Sequence, residues 1–171
     1  MSEIRKYIDD GVVETSTRNS AVKPYVLSHG TLECADMAAT RRFYEDFLGL
    51  ECVQHGTTSM AFRCGLKFHV VCIQAGDKSR PCHLHNHWGL DVTSEAEVND
   101  AYRAALDQKD KYGIKEMMSP EHRHGVYSFY LEDRDSNWWE IQYYPDFQHD
   151  DMFEFGDRFT ADGKPVTGGA E

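Results

Sequence analysis

Nine histidines stand in a chain of 171 residues, and two of them open matching segments. His29 begins His29-Gly30-Thr31-Leu32-Glu33-Cys34. His87 begins His87-Trp88-Gly89-Leu90-Asp91-Val92, 58 positions later. Glu140 lies inside Trp138-Trp139-Glu140-Ile141-Gln142-Tyr143, where an ionised carboxylate is costly to bury unless it is paired or holds a cation. Two imidazoles and one carboxylate, with no thiolate, suit a hard-to-borderline divalent ion. A triad of this kind with open positions favours non-haem Fe(II), with Mn(II) or Zn(II) as alternatives. The five cysteines (Cys34, Cys52, Cys64, Cys72, Cys82) are odd in number and form no C-x-x-C pair. That speaks against a disulfide framework or a structural zinc site and for reduced thiols in a cytoplasmic protein. Cys64 and Cys72 lie in apolar runs and are expected to be buried bystanders.

Positioning such a triad needs a repeated framework, and the chain carries one. Tyr25 to Cys34 reads as a strand. Asp36 can cap a helix from Met37 to Leu48, whose Phe43, Phe47 and Leu48 share a face, with Gly49 as its stop. Strand-like runs follow at Glu51 to His55, Ser59 to Cys64 and Lys67 to Gln74, and Ala75 to Pro81 is a linker. The order then repeats: a strand from His87 to Val92, a helix opened by Ser94 or Glu95 and running to about Gln108, and strands at Glu116 to Ser119, Val126 to Leu131 and Trp138 to Tyr144. The expected fold class is therefore α+β: two paired βαβββ modules, about 25–77 and 83–146, forming a cupped mixed sheet around a metal site. By internal symmetry Phe68-His69-Val70-Val71 aligns with Trp139-Glu140-Ile141-Gln142, which makes His69 the mirror of Glu140.

Outside the domain at 25–146 lie an N-terminal arm (1–24) and a C-terminal tail (147–171). Neither carries a candidate ligand apart from His149, so neither is expected to be catalytic. Phe147, Met152, Phe153, Phe155 and Phe159 in the tail are expected to clamp onto the body or onto a second subunit. Eighteen Lys and Arg against 29 Asp and Glu give a net charge of −11. That balance disfavours nucleic acid and anionic membrane surfaces, both of which select clustered cations. A mean hydropathy of −0.62 and the absence of a long apolar run argue against a membrane helix. No apolar stretch near the start resembles a secretory signal. Hydrophobic residues at 40% suffice for a packed core, which excludes global disorder.

Residues 27–145 resemble the vicinal oxygen chelate superfamily. The resemblance rests on the strand holding His29, on Arg42-Phe43-Tyr44-Glu45-Asp46-Phe47-Leu48-Gly49-Leu50, on His87-Trp88-Gly89-Leu90-Asp91-Val92, and on Tyr130 to Glu140 with its Asp133-Arg134-Asp135-Ser136-Asn137 turn. It implies a metal held by His29, His87 and Glu140. The superfamily hosts glyoxalases, epimerases, antibiotic-binding proteins, thiol transferases and extradiol dioxygenases, so fold does not choose the reaction. Glyoxalase-like members tend to carry a carboxylate where this chain has His69. Extradiol dioxygenases carry a non-ligand His before the second metal His and a Tyr ten positions before the metal Glu; His69 and Tyr130 stand there, with a slightly longer gap from His69 to His87. The resemblance thus implies an Fe(II)-dependent extradiol ring-cleaving dioxygenase acting with O2 on a small aromatic diol. His69 would be the acid/base catalyst and Tyr130 would orient the substrate. A glyoxalase-like isomerase, epimerase or lyase is the alternative, with His69 as a fourth ligand, and an antibiotic-binding resistance protein is the third reading. His85 is a fallback ligand. His122 and His124 are expected on an exposed loop, and His55 and His149 on the surface. The modules can pair within one chain or between two copies in a homodimer.

Overall fold

The computed structural model describes residues 21, 27–65, 68–123, 125–145, 157 and 159–165. The arm other than Ala21, the start of the expected first strand at Tyr25 and Val26, Lys67, His124, His149 and the tail aromatics before Phe159 lie outside the described residues. Alternation builds the first strand: β1 (His29–Cys34) buries Leu32 and Cys34 and leaves His29 and Thr31 outward. At its end Asp36 accepts the Ala39 N–H (3.1 Å) and starts α1 (Met37–Asp46). The helix ends two residues earlier than its apolar pattern predicts. Phe47 is already the cap, and Gly49 takes the left-handed φ of +70° that turns the chain into β2 (Glu51–Gly56). β3 (Ser59–Arg63) and β4 (His69–Gln74) complete a four-stranded sheet in the order β1-β4-β3-β2.

The second module repeats this plan with β5 (His87–Asp91), α2 (Glu95–Asp107), a short α3 (Lys109–Tyr112), β6 (Glu121–Arg123), β7 (Val126–Glu132) and β8 (Trp138–Tyr143). Its sheet runs β5-β8-β7-β6. Ser94 caps α2 by accepting the Glu97 N–H, while Glu97 reaches back to the Thr93 N–H (2.6 Å) and hydroxyl (2.8 Å). In both sheets the first strand of the module is a free edge, paired on one side only.

Three expectations need correction. Glu116 to Ser119 shrinks to a single antiparallel bridge, Met117 to Leu131, flanked by backbone hydrogen bonds of Glu116 with Glu132 and of Met118 with Tyr130; Pro120, with no N–H, breaks the edge, and the regular strand begins after it at Glu121. Cys64 is exposed, since β3 stops at Arg63 and the chain turns there through Gly65. Phe159 is 62% exposed and makes no clamp onto the body.

The core residues of both sheets merge into one cluster. Tyr44 of α1 lies edge-on to Phe62 of β3 (4.7 Å between centroids) and to Trp139 of β8 (5.1 Å), and Phe62 and Trp139 are themselves 5.9 Å apart. The two sheets thus turn their apolar faces toward each other. Gly30 is required at the same junction, because a Cβ there would collide with the Trp88 indole.

The turn from Asp133 to Asn137 clamps the modules. Asp133 is fully buried and accepts from the N–H groups of Asp135 (2.8 Å) and Asn137 (2.9 Å), the Trp139 indole (3.1 Å) and the Tyr44 hydroxyl (3.3 Å). Asp135 takes the Ala35 N–H (2.8 Å), and the Asn137 amide donates to the Glu33 carbonyl (3.0 Å). Replacing Asp133 with Ala strands at least three buried donors, each costing about 1–3 kcal/mol. We expect a loss of more than about 3 kcal/mol, measured as a lowered urea midpoint; an unchanged midpoint would refute this clamp. Burial raises the Asp133 carboxyl to about 6, against the hydrogen bonds that lower it. Folding therefore takes up a proton between about pH 4 and 6, and the stability from this group falls as pH rises through that window.

Candidate metal centre

Strand alternation decides where each candidate points. On β1, His29 alternates with the core residues Leu32 and Cys34. On β5, His87, Gly89 and Asp91 alternate with Trp88 and Leu90, which pack on the core. Because the apolar faces of the two sheets meet, the faces carrying the histidines lie on the far sides of that shared core.

On the second sheet His87, Glu140 and Tyr130 come together. Tyr130 and Gly89 are the register partners of Glu140 on its two flanking strands. His87 Nε2 lies 3.2 Å from Glu140 Oε2, and the Tyr130 ring meets the His87 imidazole edge-on at 5.1 Å. His87 Nδ1 is 2.7 Å from the Leu84 carbonyl, which can only accept, so Nδ1 carries the proton. His87 Nε2 is then the atom that faces the buried carboxylate. Two such electron-rich atoms stand this close only with a cation or a proton between them. Ligand bonds of about 2.1 Å would set neighbouring donor atoms about 3.0–3.4 Å apart, so the pair fits a divalent metal. The Leu84 contact is the kind of outer hydrogen bond that orients a ligating imidazole. Burial, with the hydrogen bond to Glu140 and its charge, pushes the Tyr130 hydroxyl up to about 12, which keeps it a donor at neutral pH.

On the first sheet His29 and His69 are register partners across β1 and β4, with nearly parallel rings 5.7 Å apart. His29 Nδ1 lies 2.9 Å from the Ser28 hydroxyl, which leaves Nε2 as the nitrogen to offer a metal. The structure does not bring His29 or His69 to His87 and Glu140. Among the described residues no group of three or more His, Cys, Asp or Glu side chains could hold a metal ion within one chain. His29 with His69 and His87 with Glu140 are thus two separate pairs, one on each sheet.

The expected mirror relation also shifts. His87 is in register with Trp138, as His29 is with His69, so His69 mirrors Trp138 and it is Val71 that mirrors Glu140. Of the other histidines, His85 packs on His83 (4.7 Å) and is exposed, so His87 and not His85 meets Glu140. His122 is exposed on β6, 3.8 Å from Glu95, and His55 is exposed on β2. Sequence reasoning missed the Leu84 carbonyl, and it missed Asp91 and Gln142, joined by a 2.7 Å hydrogen bond beside Glu140. Gln142 was legible in principle, two positions beyond Glu140 and so on the same strand face. An open cavity of about 1280 Å³ lies at the ends of β5 and β8 beside α2, and none of His29, His87 or Glu140 lines it.

The model of the family described as "Glyoxalase/Bleomycin resistance protein/Dioxygenase superfamily" matches residues 26–141. No curated protein matches the chain in sequence. Among solved structures, an integron cassette protein from the mobile metagenome of V. Cholerae is 28% identical, covering 72% of this chain and 98% of its own, with a TM-score of 0.51. The fosfomycin resistance protein FosX from Listeria monocytogenes is 23% identical over 69% of this chain and 92% of its own, at a TM-score of 0.55. A lactoylglutathione lyase from Agrobacterium tumefaciens is 21% identical over 70% and 94%, at 0.51. At these identities the last two speak for a common fold alone.

Proposed function

We propose that this chain, which belongs to the glyoxalase/bleomycin resistance protein/dioxygenase superfamily, is an Fe(II)-dependent extradiol-type dioxygenase that opens a catecholic ring with O2. We take residues 25–146 as the working unit. The observation that carries the metal reading is the 3.2 Å approach of His87 Nε2 to the buried Glu140 carboxylate, with His87 Nδ1 held at the Leu84 carbonyl. His29, His87 and Glu140 are the proposed ligands, with Mn(II) or Zn(II) as chemically acceptable substitutes for iron. FosX from Listeria monocytogenes has been solved with Mn(II), so a divalent ion is at home in this fold. Because His29 sits on the opposite side of the core from His87 and Glu140, the centre closes between two copies. The free edge β1 of one copy lies against the free edge β5 of the other, an arrangement that also covers both unpaired edges.

Bound there, iron would supply the redox centre that couples a chelated diol to O2. The chain's own residues do the rest. His69, beside His29, takes a proton from the substrate hydroxyl and returns it as the ring opens. Tyr130 holds a substrate oxygen in line with the His87–Glu140 pair. The reading is tested by metal analysis of anaerobically purified protein and by oxygen uptake on a catechol panel. One iron per chain and one O2 per catechol, with a strongly absorbing ring-opened product, are expected. No oxygen uptake with any catechol would overturn it.

Replacing Glu140 with Ala leaves two neutral donors at the centre and removes the charge that balances the ion. Metal affinity should fall well over tenfold, read by competition with a chromogenic chelator. Full occupancy under that challenge would remove Glu140 from the ligand set. One observation favours a second reading, a glyoxalase-like isomerase: His69 stands directly across from His29, where it could serve as a fourth ligand. Anaerobic turnover of a glutathione hemithioacetal would then replace oxygen uptake.

A further inference from the structure

Between the two sheets lies a second, smaller cavity of about 140 Å³. Leu50, Phe62, Val70, Trp88, Leu90 and Trp139 supply most of its wall, and all six pack in or against the shared core. Its outer rim holds Arg63 and Cys64, both exposed, with the Arg63 guanidinium already paired with Glu51 (2.7 Å). It adjoins the larger open cavity, since Cys64, Gly89 and Leu90 line both. The wall also includes His69, the register partner of His29, and Gly89, the register partner of Glu140. The cavity therefore touches a neighbour of each pair from the core side. At His69 the way round is short: it is the first residue of β4, and the ladder that separates the core from the face of His29 ends there.

We propose that this cavity is a binding site for O2, which enters past Cys64 and leaves beside His69. The inference rests on the ring-cleaving reading above and gives its second substrate a place. Size and lining choose the occupant. Cavities of this size with apolar walls take up small apolar guests such as xenon, because a water inside them lacks the polar partners it needs. A diol is disfavoured there, since its two hydroxyls would be desolvated against Leu50, Phe62 and Leu90 without hydrogen bonds. O2 is apolar and diatomic, so it gives up little on leaving water and fits beside the indoles of Trp88 and Trp139.

Xenon is the probe, because it is apolar, of similar girth to O2 and inert toward the metal. Wild type should show saturable xenon shifts by NMR in its zinc-loaded form. In the iron-loaded enzyme, xenon under pressure should raise the KM for O2 and leave the KM for catechol unchanged. Leu50→Phe, which fills the cavity away from the proposed ligands, should lose the xenon site and raise the KM for O2 about fivefold. Its anaerobic catechol binding and its kcat at saturating O2 should stay within about twofold of wild type. Leu50→Ala, which enlarges the cavity, should keep the xenon site. Absence of saturable xenon binding to wild type would overturn the proposal. So would xenon that binds without competing with O2, a result that needs no variant and leaves the ring-cleaving reading standing. If iron-loaded wild type takes up no O2 with any catechol, that reading falls and this inference falls with it, whatever xenon does.

Discussion

Mixing two variants that are each inactive should restore about a quarter of wild-type activity. His29→Ala removes the ligand on β1, and Glu140→Ala removes the one on β8, so each homodimer carries two incomplete centres. In a mixed dimer one centre inherits both defects. The other receives His29 from the Glu140→Ala copy and His87 with Glu140 from the His29→Ala copy, and it is whole. Random exchange makes half the dimers mixed, each with one intact centre of two. Metal content should recover in the same proportion, which gives a readout independent of the reaction. Phe62 and Trp139, 5.9 Å apart, set the two sheets face to face and separate His29 from the His87–Glu140 pair. A centre closed within one chain predicts no recovery at any mixing ratio, so a flat titration would sink the shared-site arrangement.

The separation of His29 from the His87–Glu140 pair was not legible in the sequence, for a physical reason. The alternation that turns Leu32 and Cys34 inward and His29 outward is identical whether the modules complete a centre within a chain or across two. Sequence therefore told which residues share the outward face of each sheet and not which of them meet. The helix starts at Asp36 and Ser94, the stop at Gly49 and the Asp133–Asn137 turn were all readable, because each depends on a side chain or φ within a few residues. The alignment of His69 with Glu140 failed for a related reason. A one-residue slip along a strand flips every side chain, but a two-residue slip preserves the in-out pattern and leaves no trace in it. Only the ladder shows that His69 faces His29 while Trp138 faces His87. The Glu116–Ser119 segment misled because Pro120 interrupts an edge whose residues otherwise suit a strand. His87 rather than His85 meets Glu140 because Trp88 and Leu90 supply the apolar face behind it.

Among variants that keep their iron, the largest loss of rate should come from His69→Gln. His69 lies across from His29, with its ring 5.7 Å away, so it borders the proposed centre whichever copy supplies the rest. An iron held by His29, His87 and Glu140 alone would keep positions open for the diol and for O2; a fourth ligand at His69 would take one of them. The role that remains for it is to accept a proton from the diol and give it back as the ring opens. Glutamine matches its size and hydrogen-bonding reach but carries no titratable proton. Turnover should therefore drop on the order of 10²–10⁴-fold, while iron content and anaerobic catechol binding stay near wild type. Tyr130→Phe should be milder, since that hydroxyl orients the substrate and transfers no proton. The split between binding and turnover separates the two roles open to His69. If His69→Gln loses its iron along with its activity, His69 is a ligand, and the ring-cleaving reading gives way to the isomerase, which needs fewer open positions and no O2.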